Sequence, residues 1–237
     1  ALVGHSDVVP DYFSPRVEDG YLHGAGASDM KCSLGVYLYL LSTYQKALLE
    51  HYNIVFICYA KEEGTTINQN GLNELIQTFP IELKKIDCAI IGEPTNNAIQ
   101  LGCVGSLHAT LKVVGEAAHS ARPWNGVNAL YKALPLIESI STFQPQKNKL
   151  FGVDFYDVIQ ITESYAEPGR TTIPGWWEAN INYRFSPNKS EKEAFDFLKS
   201  LISYHNIKNV SLELKDSVFA GSVITTPFFE QVIKEFD

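Results

Sequence analysis

Six side chains that could bind a metal or move a proton follow apolar or glycine-rich segments in the first hundred residues. They are His5, Asp7, Asp29, Glu62, Glu63 and Glu93. Imidazole nitrogens and carboxylate oxygens bind Zn²⁺, and clustered carboxylates repel one another unless a cation neutralises them. If these segments meet at one end of a sheet, the pattern predicts a divalent-metal site.

His5 and Asp7 come directly after the short apolar segment at residues 1–3, which predicts a buried strand. Residues i and i+2 of a strand point to the same face, and open α/β sheets bind ligands at the carboxyl ends of their strands. Asp7 could then fix the tautomer of His5. Taken alone, the pair is more typical of an ordinary strand end leading into a turn; the other carboxylates favour the metal site.

The elements that must position these residues alternate between strand and helix. Apolar runs at Asn53–Ala60 and Asp87–Ile91 predict strands covered on both faces, and Leu34–Leu49 and Asn70–Phe79 predict helices, the first largely buried. Strands alternating with helices indicate an α/β fold. We therefore predict an α/β domain that includes residues 1–105.

The pattern changes after residue 105 to strict alternation of apolar and polar residues, which is typical of an antiparallel sheet with one wet face. The predicted elements are strands Ser106–Val114, Phe155–Thr162, Trp177–Phe185 and Val210–Lys215 and helices Asn125–Ile140 and Glu191–His205. Their β-α-β-β-α-β order is ferredoxin-like. We predict a second, α+β domain at 106–216 that is inserted into the first, with 217–237 returning to the first domain.

The amino-acid composition argues against some classes of binding partner and indicates a cellular compartment. The formal net charge is −8, which argues against nucleic acid or an anionic membrane as a partner. No apolar run is long enough to cross a membrane. The four cysteines are scattered, which predicts buried free thiols in a reducing compartment, the cytoplasm.

Six motifs, in order along essentially all 237 residues, resemble one known family. They are GHSDVVP, GASDMK, AKEEG, IIGEPT, AHSARPWNGVNAL and NYRFSP. The chain resembles the di-zinc aminoacylase and carboxypeptidase family, and within it the actinobacterial type of the branch that removes the succinyl group from N-succinyl-L,L-2,6-diaminopimelate. The resemblance implies a zinc-dependent amide hydrolase of diaminopimelate and lysine biosynthesis. It also implies that residues 1–105 belong to a zinc-peptidase-like catalytic domain and that the inserted ferredoxin-like domain at 106–216 serves for dimerisation and as a lid.

The resemblance also implies a ligand set for two zinc ions, with cobalt as a possible substitute. His5, Asp29 and Glu93 would hold one ion, and the bridging Asp29 with Glu63 the other. Two-metal hydrolases hold their ions about 3.5–4 Å apart. In this family the peptide bond from Asp29 to Met30 is expected to be cis.

Five further residues receive roles from the resemblance. Glu62 would be the general base, Asp7 would orient His5, and His119 would donate to the scissile carbonyl oxygen across a homodimer. Arg184 would bind a substrate carboxylate, and Thr171 lies where the family usually has a substrate-binding asparagine. A loop histidine and a surface arginine are the ordinary alternatives for His119 and Arg184.

Two departures from the family leave the substrate open. Besides Thr171, Val104 replaces an arginine found in many desuccinylases. The alternatives are an aminoacylase or dipeptidase acting on another N-acyl amino acid, and a truncated, non-catalytic dimer module. The sequence indicates truncation at both ends, since Ala1 lies inside a predicted strand and the second zinc's last histidine is expected beyond Asp237. We expect this chain alone to bind one zinc more tightly than the second and to hydrolyse little.

Overall fold

Residues 1–10, 12–150, 152–221 and 226–236 are described by a computed structural model, and the chain divides into two units, residues 1–99 and 100–237. The predicted boundary at 105 and the return of 217–237 to the first domain stay predictions. Among the described residues, none of the helices has the length and apolar character needed to span a membrane.

The first unit is built on a parallel sheet of three strands, β1 (Leu2–His5), β4 (Phe56–Tyr59) and β5 (Ile90–Ile91). Strand β1 lies in the middle, and His5 pairs with Tyr59 at the carboxyl end. A small antiparallel pair, β2 (Arg16–Glu18) and β3 (Tyr21–His23), lies between β1 and the first helix in sequence.

Four helices belong to this unit: α1 (Lys31–Thr43), α2 (Gln45–His51), α3 (Gly71–Thr78) and α4 (Pro80–Leu83). The predicted helix 34–49 is therefore two helices that meet at Tyr44. The prediction that it is largely buried was wrong: in α1 only Leu34 and Tyr37 are buried. Leu34 and Tyr37 lie one helical turn apart, and the three-stranded sheet buries only this side of the helix. Strand β5 is likewise exposed rather than covered on both faces, and in β4 only Ile57 is buried. The prediction of buried cysteines was also wrong, since three of the four are exposed and Cys88 is half-buried.

The second unit contains a five-stranded antiparallel sheet. Its strands are β6 (Gly105–Val114), β8 (Gln146–Leu150), β9 (Val153–Ala166), β11 (Trp176–Phe185) and β12 (Val210–Val218). They lie in the order β12-β6-β11-β9-β8. The main helices are α5 (Ala129–Ser141) and α6 (Glu191–Ser203). Without β8, the predicted β-α-β-β-α-β order is confirmed, while its roles as an insertion and a dimer surface stay predictions.

Alternation places the core of this unit on one face of the sheet. In β6, Leu107, Ala109, Leu111 and Val113 are fully buried, and the residues between them lie on the other, polar face. Helices α5 and α6 pack on the apolar face through residues such as Leu136 and Leu198. The smaller elements are the strand pair β7 (Ala118–His119) and β10 (Thr172–Ile173), the 3₁₀ turn Pro123–Asn125 and α7 (Pro227–Phe236).

Candidate metal centre

The candidate metal centre lies at the carboxyl ends of β1, β4 and β5. His5 is the last residue of β1 and is fully buried. Its Nε2 atom lies 3.1 Å from an Asp29 carboxylate oxygen and 3.6 Å from one of Glu93. Ligand atoms of His5, Asp29 and Glu63 also lie within 4.8 Å of one another. The structure therefore brings together all four side chains that the resemblance implied as zinc ligands.

Helix α1 positions Asp29 and the segment after β5. Asp29 lies two residues before the first residue of the helix, and its peptide bond to Met30 is cis, as the resemblance implied. The Ser33 hydroxyl donates to the carbonyl of Gly92 at 2.5 Å. A Cβ atom on Gly92 would lie 2.5 Å from the Cβ of Ser33. Glycine at this position therefore lets the helix approach the backbone that leads into Glu93.

Asp7 holds the turn that presents Glu62 and Glu63. One of its carboxylate oxygens accepts the backbone N–H groups of both glutamates, each at 3.0 Å. Its backbone carbonyl lies 3.1 Å from the Nδ1 atom of His5, and its second carboxylate oxygen lies 3.4 Å from the same atom. Asp7 thus contacts His5 as predicted and, in addition, ties the turn after β4 to the end of β1.

The hydrogen bond at Nδ1 of His5 determines which ring nitrogen is free to bind a metal ion. A carbonyl oxygen only accepts, so Nδ1 of His5 must carry a hydrogen and donate to Asp7. In neutral His5 the lone pair of Nε2 then points at the carboxylate oxygens of Asp29, Glu93 and Glu62, the last at 3.9 Å. This arrangement is repulsive unless a proton or a cation lies between them. One nitrogen and several carboxylate oxygens are a donor set that zinc accepts, so the residues fit a metal ion.

Burial and mutual repulsion shift the titration of these groups. Burial, followed by the negative charge of Asp29, raises the pKa of Glu93 to about 7. Burial also raises the pKa of Glu62, and the charges of Glu63 and Asp29 add to this effect. Burial alone would lower the pKa of His5, but Glu93 and Glu62 raise it above the usual value. Burial opposes the backbone hydrogen bonds to Asp7, which nevertheless lower its pKa.

Three predicted site residues lie in the second unit. His119, in β7, is exposed, and its Nδ1 atom accepts the N–H of Ala121 at 3.1 Å. Thr171 precedes β10 and its carbonyl accepts the N–H of Ser120 at 2.8 Å, so Thr171 and His119 lie on paired segments. Arg184 is exposed on the polar face of β11, as the alternation predicted.

The family model of Peptidase family M20/M25/M40 matches residues 1–229. The chain belongs to this family. It is 32% identical over 219 residues to a succinyl-diaminopimelate desuccinylase of Corynebacterium glutamicum, covering 92% of this chain and 57% of the relative. It is 30% identical over 227 residues to that of Marinobacter nauticus, covering 88% of this chain and 58% of the relative. The chain thus spans somewhat more than half the length of these M20-family relatives.

Solved structures show the same fold at lower identity. The dipeptidase Dug1p from Saccharomyces cerevisiae superposes with a TM-score of 0.67 at 13% identity, over 96% of this chain and 62% of that chain. An M20 family metallo-carboxypeptidase from Sulfolobus solfataricus gives a TM-score of 0.59 at 17% identity, over 92% of this chain and 64% of that chain. The predicted family and mixed α/β fold are confirmed.

Sequence reasoning missed two contributions to the M20-family site. The hydroxyl of Ser33 fastens the segment before Glu93, and the carboxylate of Asp7 fastens the Glu62–Glu63 turn. The spacing of Ser33 on the helix gives no signal for its role. The signal for Asp7 was present, since a carboxylate at a strand end commonly accepts free N–H groups of a neighbouring loop.

Proposed function

We propose that the complete protein is a zinc-dependent amide hydrolase that removes the succinyl group from N-succinyl-L,L-2,6-diaminopimelate. The convergence of Asp29 and Glu93 on Nε2 of buried His5, with Glu63 in the same group of ligand atoms, is the observation that supports a metallohydrolase. The similarity to relatives named succinyl-diaminopimelate desuccinylase supports this choice of substrate.

The proposed ligand assignment follows the four converging side chains. His5, Asp29 and Glu93 would hold one zinc ion, and Asp29 with Glu63 the second; cobalt could replace zinc. Zinc, when bound, supplies Lewis-acid chemistry that activates water and polarises the amide carbonyl.

Glu62 is the proposed proton shuttle. Its carboxylate lies 3.9 Å from Nε2 of His5, at the edge of the ligand cluster, and it is half-buried beside Glu63. It would take the proton of the attacking water and give it to the leaving amine, a task suited to a carboxylate. Asp7 keeps Glu62 in place through the backbone hydrogen bond to its N–H group.

His119 has the hydrogen-bonding state that its proposed role requires. Because the N–H of Ala121 donates to Nδ1, the neutral ring carries its hydrogen on Nε2 and can donate there. Such a donor stabilises the oxyanion that forms as an amide is attacked. In our proposal a homodimer delivers this group from the partner copy. The net charge of −8 supports a small-molecule substrate over nucleic acid or an anionic membrane surface.

Substrate recognition is assigned to Arg184 and Thr171. The guanidinium of Arg184 can bind a carboxylate with two parallel hydrogen bonds, and the Thr171 hydroxyl can donate and accept one each. Because Thr171 and Val104 depart from the residues expected in desuccinylases, a different N-acyl amino acid or a dipeptide is the second candidate substrate. Retention of Glu62 in the cluster supports a catalytic protein over a dimer module without activity.

A substrate panel tests the proposal. The complete gene product, loaded with zinc, is assayed with N-succinyl-L,L-diaminopimelate, N-acetyl amino acids and dipeptides. We expect kcat/KM to be at least about tenfold higher for the succinylated substrate, because a site that pairs polar groups rejects substrates lacking them. Preference for an acetylated amino acid or a dipeptide would establish the second candidate. Absence of turnover on all three classes would refute a catalytic role.

A further inference from the structure

The polar face of the five-stranded sheet holds a connected row of side chains beside Arg184. Nε of Arg184 donates to Oδ1 of Asn182 at 3.2 Å, and Nδ2 of Asn182 lies 3.0 Å from Nε2 of His108. The other ring nitrogen of His108 lies 3.1 Å from the carboxamide of Asn180. His108 is half-buried between the two asparagines. The row connects two adjacent strands, β6 and β11.

The partners of Asn182 leave its carboxamide only one orientation. Arg184 only donates, so the atom facing it must be the carboxamide oxygen. The carbonyl of Leu107 only accepts, and it lies 3.3 Å from the nitrogen of the same group. The Ser106 hydroxyl lies farther from this nitrogen, at 3.4 Å, than Nε2 of His108, at 3.0 Å. Because an amide nitrogen only donates, Nε2 of His108 must be the acceptor of the shorter contact.

The tautomer of His108 follows from this constraint. A neutral imidazole that accepts at Nε2 carries its hydrogen on Nδ1. That hydrogen requires an acceptor. The structure places the carboxamide nitrogen of Asn180 at this position, 3.1 Å from Nδ1, but an amide nitrogen cannot accept a hydrogen bond, so we turn the carboxamide over and assign its oxygen there. The distance from the same position to the Thr162 hydroxyl is 2.6 Å. This length is usual for an O–H···O bond and short for an N–H···O bond, which agrees with an oxygen at this position.

We propose that Asn182 and His108 are positioning residues for Arg184. Asn182 occupies the Nε–H of the guanidinium and leaves its two Nη groups for a bidentate ligand, while His108, as the Nδ1–H tautomer, prevents the carboxamide of Asn182 from turning over. Only the ligand of Arg184, a substrate carboxylate, rests on the proposed function. The proposal assigns the donor and the acceptor of each hydrogen bond in the row from Thr162 to Arg184.

The kinetic test uses the complete gene product and its best substrate. Asn182→Leu removes the acceptor for Arg184. We expect its KM to rise about tenfold, which is the effect of losing one hydrogen bond to a charged group. We expect kcat to stay within about twofold of wild type, because Arg184 would make the same contact with the substrate in the ground state and in the transition state. Asn182→Asp keeps the acceptor, so its KM should be close to that of the wild type.

The His108 variants test the second positioning residue. His108→Leu should raise KM, whereas His108→Gln, whose amide oxygen can accept from Asn182, should have a KM close to that of the wild type. Thr110→Val, on the same face of β6, is the matched control.

A spectroscopic test needs no substrate. Nitrogen shifts of ¹⁵N-labelled histidine should show His108 protonated on Nδ1 and bare on Nε2, and Asn182→Asp should move the proton to Nε2, next to the new carboxylate. Protonation on Nε2 in the wild-type protein, or an unchanged KM in Asn182→Leu, would overturn the proposal. A wild-type protein that binds zinc and turns over no substrate would instead refute the proposed function, while the nitrogen shifts would still decide the hydrogen-bond order.

Discussion

Glu62 and Glu63 are neighbours in sequence, yet their surroundings differ. A carboxylate oxygen of Glu63 lies within 4.8 Å of ligand atoms of both His5 and Asp29. Glu62 lies beside this group, 3.9 Å from Nε2 of His5. Both share the same Asp7 oxygen through their backbone N–H groups, so the turn holds two adjacent carboxylates in separate positions. The proposed division between proton transfer and metal binding depends on this difference.

Glu62→Gln separates the two roles experimentally. Glutamine has the same shape but cannot take a proton from water, so we expect kcat to fall by about 10²–10⁴ while zinc content is unchanged. Glu63→Gln is the matched control and should instead lower the zinc content. The measurement is turnover alongside atomic absorption of the purified complete protein. Full activity in Glu62→Gln would exclude Glu62 as the base.

At the scale of elements, Gly71 fixes the distance between α3 and the segment that leads to Glu62. Its N–H donates to the carbonyl of Ala60 at 3.0 Å, and a Cβ atom at this position would lie 2.3 Å from that carbonyl oxygen. Backbone atoms cannot turn aside as a side chain can. Helix α3 therefore approaches this closely only because residue 71 has no side chain.

Gly71→Ala should lower the free energy of unfolding by about 1–3 kcal/mol, the usual cost of overpacking. It should also weaken zinc binding, because the displaced backbone precedes the Glu62–Glu63 turn. Gly35→Ala is the matched control: a Cβ there meets no atom within 4 Å, and alanine in mid-helix should add about 0.5–1 kcal/mol. Denaturant titration and zinc calorimetry give both quantities. Equal stabilities for the two variants would contradict the packing argument.

Asp157 connects three elements of the second unit. It is fully buried on β9 and accepts hydrogen bonds from the backbone and hydroxyl groups of Ser186, after β11, and from Tyr183. It also pairs with Lys189, which precedes α6. Burial alone would raise the pKa of Asp157, but Lys189 and Ser186 together hold it below its usual value.

Asp157→Asn should lower the free energy of unfolding by about 3–5 kcal/mol near neutral pH, because it leaves the ammonium of Lys189 unpaired. Since the folded pKa is depressed, the stabilisation from Asp157 is present above its unfolded pKa of about 3.9 and is lost as pH falls through the folded pKa. The difference between wild type and variant should therefore shrink in acid. Asp196→Asn, which removes only exposed ion pairs on α6, should change stability little. A pH-independent difference would argue against the ion pair as the cause.

The sequence predicted strands best where one face is buried and the other wet. The alternation in β6 and β11 matched their buried faces because a two-residue period leaves a clear signal. Strand β8 was missed, since Gln146–Leu150 is polar on both faces and pairs only at the edge of the sheet. The exposure of α1 was also missed, because apolar residues around a whole helix do not reveal how much a neighbouring sheet covers.

The candidate site was predictable in its residues but not in its supports. Strand ends that carry ligand-type side chains indicated a metal site, and the resemblance then assigned the ligands, among them His5 and Glu93. The contacts of Asp7 with the glutamate turn and of Ser33 with Gly92 join segments more than fifty residues apart in sequence. Only the folded backbone brings such groups within hydrogen-bonding distance. The same holds for the row from His108 to Arg184, whose members lie on separate strands.

At the scale of the whole molecule, the proposed delivery of His119 across a homodimer has a specific consequence. In a two-fold dimer each active site would combine Glu62 of one copy with His119 of the other. A copy with His119→Ala and a copy with Glu62→Gln are each inactive as pure dimers. A mixed dimer contains one site with both wild-type residues and one site with neither.

Mixing the two inactive complete proteins, with random exchange of subunits, should therefore restore about one quarter of wild-type activity, since half of the dimers are mixed and each has one competent site. If His119 acted within its own copy, every site in the mixture would lack one of the two residues, and no activity would return. The measurement is turnover of the mixture after denaturation and joint refolding with zinc, with each variant refolded alone as control. Recovery without any dimer in size-exclusion chromatography would contradict delivery between copies.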